Sequence, residues 1–203
     1  VTGRRALTVD EMVRMLDSAA CQRDRALFAL CCWAGVRLCE ALALDVADVV
    51  TLEPGTWSVA GTVNLARNSV KGKTSGRRLP IHERPSAEIR RMLQARLDAA
   101  GEGAAITSIL REPLFLASNH GKVGRLSNRQ GRRTFVKVAA SLGLENVGSH
   151  SGRKTFAQGP HNAGVDLQTI TEALGHRDPK HTRRYFDVDD ADLVRAVGLL
   201  PSG

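Results

Sequence analysis

Residues 26–36 form an eleven-residue apolar run closed at each end by an arginine, Arg25 and Arg37. The run is about half of the roughly 20 residues that a membrane helix needs, and no other stretch is longer, so no membrane partner is expected. Read as a helix over about 23–34, it is apolar on nearly every side. Only a helix wrapped by other elements has that character. It therefore belongs at the centre of a core, and a chain of 203 residues can supply neighbours enough to bury it without disulfides or metal.

Those neighbours read mostly as helices. Thr8 is an N-cap for an amphipathic helix with Asp10 and Glu11 in its first turn and Met12, Val13, Met15 and Leu16 as apolar residues. Gly35 ends or bends the central helix, and Arg37-Leu38-Cys39-Glu40-Ala41-Leu42 restarts a short one. Apolar residues three or four apart predict further helices over 86–99, 128–142, 151–157, 167–174, 179–186 and 191–199. Between 51 and 81 the pattern changes. Glu53-Pro54-Gly55 reads as a turn, 56–63 favours strand, and Lys73-Thr74-Ser75-Gly76 is a turn before Arg77-Arg78-Leu79-Pro80-Ile81. The expected fold is mainly α with a small antiparallel β-sheet of two or three strands, in one domain over residues 1–203.

Charge narrows the partner. Lysine and arginine number 29 against 21 acidic residues, a net charge of +8, and nucleic acid is the commonest partner of such an excess. Lys122, Arg125, Arg129, Arg132, Arg133 and Lys137 surround the start of the 128–142 helix. Arg129, Arg132 and Arg133 share one face, which is expected to touch phosphates or enter a major groove; a merely solvated face is the plainer reading. Arg77 and Arg78 on the hairpin, and Arg177, Lys180, Arg183 and Arg184 near Tyr185, extend the positive field. Cys21, Cys31, Cys32 and Cys39 lack the spacing of a disulfide framework or metal site, and read as reduced, buried thiols of a cytoplasmic protein. His82, His120, His161 and His181 read as surface or structural residues, with no metal expected.

Five blocks remain, and they matter as an ordered set. Gly35-Val36-Arg37-Leu38-Cys39-Glu40, Gly72-Lys73 on a hairpin, His150-Ser151-Gly152-Arg153, Leu174-Gly175-His176 and Thr182-Arg183-Arg184-Tyr185 resemble the active-site blocks of the tyrosine recombinase (phage integrase) family. The likeness runs from Leu7 to Leu200. It implies the catalytic domain of a site-specific DNA recombinase or integrase of a phage or mobile element, acting in the cytoplasm of a bacterial host. Such an enzyme cuts and rejoins strands through a covalent 3′-phosphotyrosyl intermediate, with no metal or nucleotide cofactor. The implied partner is double-stranded DNA at a specific site. Protomers would form a tetramer there through the 191–199 helix and be mainly monomeric when free. The N-terminal core-binding domain usual in the family is absent from this chain.

The residue types suit that chemistry. A phosphodiester carries a charge that repels nucleophiles, and forked guanidiniums neutralise it. Arg37 and Arg153 are expected to stabilise the pentavalent transition state. Tyr185 is the one tyrosine of the chain and the expected nucleophile. A phenol ionises in water only near pH ~10, so it needs a base or a strong positive field. His150 is the expected proton acceptor and His176 a donor to a non-bridging oxygen. Lys73 would protonate the departing 5′-hydroxyl, with Lys71 as the alternative, and Glu40 would orient Arg37 or His150.

One segment departs from the family. Gln158-Gly159-Pro160-His161-Asn162 falls where the helix of the third block should continue, and Gly and Pro together cost about 4 kcal/mol inside a helix. A kink or stop near Ala157 is expected. Two other functions stay open: a non-catalytic DNA-binding module of the same fold, and a type IB topoisomerase-like enzyme that relaxes DNA.

Overall fold

The computed structural model describes residues 4–65, 77–119 and 121–186. Lys71, Lys73 and the expected 191–199 helix lie outside the described residues. The architecture is mostly helical with small antiparallel sheets.

The apolar run becomes α2 (Gln22–Trp33), whose residues from Ala26 to Cys32 are all buried. Packed round it are α1 (Val9–Asp17), α4 (Glu83–Ala100) and α6 (Ser149–Asn162). A reciprocal cap starts α1: Thr8 Oγ1 accepts from the Glu11 N–H at 3.2 Å, and Glu11 Oε2 accepts from the Thr8 N–H at 2.9 Å. Between α2 and α4 lies a fully buried carboxylate, Glu88. It accepts from Arg25 at 3.0 and 3.1 Å and from Arg91 at 2.8 Å. A buried carboxylate costs several kcal/mol unless donors meet it; Arg91 meets it from within α4, and Arg25 of α2 rivets the two helices together.

Two further helices meet through a glycine. An atom added at Gly131 of α5 (Asn128–Ser141) would sit 3.1 Å from Leu38 of α3 (Leu38–Ala43), so only a small residue lets them approach. Among the described residues no helix is long and apolar enough to cross a membrane.

Among the described residues the strands form three separate antiparallel pairs: β1 (Val50–Glu53) with β2 (Thr56–Val59), β3 (Thr62–Leu65) with β4 (Arg77–Pro80), and β5 (Leu116–Asn119) with β6 (Lys122–Arg125). The expected strand over 56–63 is thus split. Ala60 N–H donates to Val49 at 2.8 Å, whereas Gly61 O accepts from Ile81 at 2.9 Å, so the partner changes between those two residues. The pair β5–β6 escapes the sequence reading because it is poor in β-branched residues, Val123 alone excepted.

Three further expectations are corrected. Cys31 and Cys32 are buried, and burial pushes the Cys32 thiol up to about 12, but Cys21 is exposed and Cys39 only half-buried. The 151–157 helix does not stop at Ala157; α6 continues through Gly159 and Pro160 to Asn162. Pro160 stands in the last turn and, having no N–H, cannot donate to the carbonyl four residues before it, yet the helix continues two residues past it. Gly159, Pro160 and His161 carbonyls then accept from Ala163, Val165 and Gly164 at 2.9–3.1 Å, closing the end. Beyond it, α7 (Leu167–Leu174) matches its predicted bounds, while α8 (Pro179–Arg183) is shorter than the expected 179–186.

Candidate active site

Arg37, Glu40, Arg77, Arg153, His176 and Tyr185 converge from α3, β4, α6 and the segments flanking α8. Arg37 directly precedes α3, and the i, i+3 spacing aims it at Glu40: Nη1 donates to Oε1 at 2.6 Å and its backbone N–H to Oε2 at 3.0 Å. Arg77 Nη2 donates to the same Oε2 at 2.9 Å. Glu40 is fully buried, so two guanidiniums share one carboxylate sealed from water. Glu40 therefore orients Arg37, one of the two partners expected for it.

Arg153 is 2% exposed, the largest fully buried side chain described. Its Nη1 donates to Gly35 O at 2.6 Å, and Nη2 bonds Leu174 O and lies 3.0 Å from His176 Nε2. Two glycines make this possible. Gly152 lets α6 press on α2, since an added carbon there would sit 2.8 Å from Cys32 Sγ. Gly175 has φ +61°, a left-handed value that ends α7, and leaves room for Arg77 Nη1 where a side chain would begin. Burial first, then Arg37, pushes the Arg153 guanidinium down to about 10, so it stays charged at neutral pH. Arg77 is also lowered, first by burial.

His176 is half-buried. Burial first, then Arg153 and Arg37, pushes its imidazole down to about 3, so the ring is neutral at physiological pH. Its Nδ1 lies 2.8 Å from Thr182 Oγ1, and its ring centroid is 5.8 Å from that of Tyr185. His150, at the start of α6, reaches the solvent side of the cluster. Desolvation, then Arg132, Arg153, Arg37 and Arg4, lowers its pKa.

Tyr185 is pinned by the stretch of α6 that the sequence reading denied. Gln158 Nε2 donates to Tyr185 O at 2.9 Å, and the His161 ring stacks on Phe186 with centroids 4.1 Å apart. A helix ending at Ala157 would offer neither contact.

The basic residues proposed for DNA part into two groups. Arg129, Arg132 and Arg133 stand exposed on α5, opposite its buried Gly131, Phe135 and Val138; Lys122 and Arg78 are exposed as well. Arg125 instead donates to Leu42 O and Leu44 O, both at 2.9 Å, and to Asp45 at 2.5 Å, clamping β6 to the segment after α3. Arg77 is turned inward to Glu40. Sequence reasoning placed Arg77 on the DNA surface because its partner lies 37 positions away, and no local signal marks such a pair. Thr171 passed unremarked, and Thr182 was noted only as part of its block, because the contact between α7 and α8 that joins them forms only in the fold.

The model of the phage integrase family matches residues 5–192. The chain is 32% identical to tyrosine recombinase XerC of Thermodesulfovibrio yellowstonii over 203 aligned residues, covering 93% of the chain and 59% of that relative. With XerC of Escherichia coli O127:H6 it shares 33% over 193 residues, covering 93% and 57%. The chain thus spans little more than half the length of these relatives. The fold is similar to that of XerA recombinase, at a TM-score of 0.72 and 22% identity over 98% of the chain and 64% of that structure. It is also similar to XerH site-specific recombinase bound to a palindromic difH substrate, at 0.68 and 24%, covering 96% and 52%. By the extent of the family match and the order of its converging residues, the chain belongs to the phage integrase, or tyrosine recombinase, family.

Proposed function

We propose that residues 1–203 act as the catalytic domain of a site-specific DNA recombinase. The observation that carries this reading is the charge of the cluster: three guanidiniums, Arg37, Arg77 and Arg153, face one carboxylate, Glu40. Arg77 Nε, Arg77 Nη1 and Arg153 Nε are buried without a hydrogen-bond partner among the described residues. Unfilled buried donors leave the cluster's positive charge uncompensated, and through the partly exposed Arg37 that charge opens to an anion, for which a DNA phosphate with the Tyr185 phenol beside it supplies the chemistry.

In the proposed reaction the Tyr185 oxygen attacks phosphorus and the bond to the 5′-oxygen breaks, leaving a 3′-phosphotyrosyl link. His150 takes the phenol proton, and its lowered pKa keeps it free to do so. Arg37 and Arg153 hold the non-bridging oxygens as charge builds in the transition state. Lys73, or Lys71, gives a proton to the leaving 5′-oxygen. Religation reverses these steps, so the phosphodiester energy is kept in the covalent bond. Arg129, Arg132 and Arg133 on α5, with Lys122 and Arg78, are assigned to DNA contacts, and protomers assemble as a tetramer on the site through the 191–199 helix.

A pool of nicked suicide duplexes with randomised flanks tests the reading on a denaturing gel. Wild type is expected to form a covalent adduct, and Tyr185→Phe none. Tight binding without adduct would favour the binding module. Relaxation of supercoiled plasmid regardless of sequence would favour the topoisomerase-like alternative.

A further inference from the structure

Two buried hydroxyls stand behind His176. Thr171 of α7 is 4% exposed and Thr182 of α8 fully buried, and buried hydroxyls need partners. Thr171 Oγ1 lies 2.6 Å from Leu167 O, 3.0 Å from Thr182 Oγ1. A carbonyl carries no proton, so the hydrogen in the first bond is that of Thr171. Thr171 then has none left, and the second bond is filled by the Thr182 hydroxyl. With that proton used, the 2.8 Å contact between Thr182 Oγ1 and His176 Nδ1 must be filled from the ring. A neutral imidazole holds one proton, so Nε2 bears a lone pair. It faces Arg153 Nη2 at 3.0 Å, a group able only to donate. From Arg153 Nη2 through His176 and Thr182 to Thr171 and Leu167 O, each of these donors meets an acceptor. The opposite tautomer would set Nε2–H against a guanidinium N–H.

We infer that Thr171 and Thr182 are positioning residues that hold His176 as its Nδ1–H tautomer, so that the imidazole accepts from Arg153 and fixes that guanidinium. In this arrangement His176 acts on a bound phosphate through Arg153, and a direct bond from Nε2 to a phosphate oxygen requires that Nε2 first gain a proton. The low pKa of His176 agrees with a ring neutral at working pH. The bearing on catalysis rests on the recombinase reading above; the tautomer does not.

The test is 15N-histidine labelling of the full chain with long-range proton–nitrogen correlation near pH 7, His176 being assigned from His176→Gln. The Nδ1–H pattern is expected, with a ring N–H proton slow to exchange with water. Thr182→Val should lose that protected proton and let the ring sample more than one orientation. Thr171→Val, farther from the ring, should weaken protection less, and Thr182→Ser should keep it. On nicked duplexes Thr182→Val should lower the maximal rate of adduct formation about 10- to 100-fold with half-saturation unchanged, and Thr182→Ser should restore it. A proton on Nε2 in wild type, or protection unchanged in both valine variants, overturns the inference. An intact tautomer signature in a chain that never forms adduct would support the relay and sink the recombinase reading alone.

Discussion

Two fully buried glutamates in this protein each sit between two arginines, and they do opposite work. Glu88, between Arg25 and Arg91, joins α2 to α4, and its arginines finish their bonding locally: Arg25 also reaches Leu16 O at 3.0 Å, and the Arg91 side chain is 58% exposed. Glu40, between Arg37 and Arg77, has a third guanidinium, Arg153, against it, and donors of Arg77 and Arg153 stay unfilled. The first cluster, with Asp17 also 3.4 Å from Arg25, sets two carboxylates against two arginines and fills its hydrogen bonds, so it stabilises. The second sets three guanidiniums against one carboxylate and leaves donors unfilled, the arrangement from which phosphate binding is proposed above. A buried arginine–glutamate pair is thus read by what remains unsatisfied around it, not by the pair itself.

The same substitution at both clusters separates them most sharply. Arg153→Lys cannot span Gly35 O, Leu174 O and His176 at once, and adduct formation is expected to fall about 10³-fold. Arg25→Lys should leave adduct formation per folded molecule unchanged. A large loss from Arg25→Lys would erase the distinction. Next come the carboxylates. Glu88→Gln is expected to cost about 3 kcal/mol, seen as a Tm lower by roughly 6–12 °C. Glu40→Gln should cut adduct formation about 10²-fold through misplaced arginines, measured at a temperature where both variants are folded.

Much of this was legible in the chain itself. The central helix showed through its apolar run, and the i, i+3 pairs Arg37/Glu40 and His150/Arg153 announced their geometry because one helix turn fixes it. What stayed hidden depends on distance. Arg77 belongs to Glu40 and Arg125 to Leu42, Leu44 and Asp45 only after β4 and β6 are folded, so both looked like surface charges. Pro160 misled in the other direction: it lacks the N–H for its own i−4 bond, yet α6 runs through it and ends two residues later.

Acid probes the cluster more gently. The folded pKa of His176 is about 3, below the ~6.5 of an unfolded histidine, so between those values the unfolded chain binds the extra proton. Stability from this ring is complete above pH ~6.5 and is lost as pH falls toward 3; the lowered pKa of His150 acts in the same direction. From pH 7 to pH 5, wild type should lose about 2–4 °C more in Tm than His176→Gln, roughly 1 kcal/mol. Equal losses would show that the site does not hold the ring neutral. The smallest effect belongs to the outer charges. Arg129→Ala should reduce the slope of log affinity against log salt by about 0.9, one phosphate contact fewer. Arg125→Ala should leave the slope alone and lower Tm.

The bond from Arg153 to Gly35 joins residues 118 positions apart. Closing so long a loop is slow, because its entropy is lost before the contact returns anything. During synthesis the chain emerges from its N-terminus, so Arg37 and Glu40 appear before Arg153, and Arg153 before Tyr185. On the recombinase reading proposed above, a nascent or half-folded copy lacks both the completed guanidinium cluster and the nucleophile. On that reading the order of folding is a safety catch, since the phenol meets its partners only once the guanidinium cluster is whole.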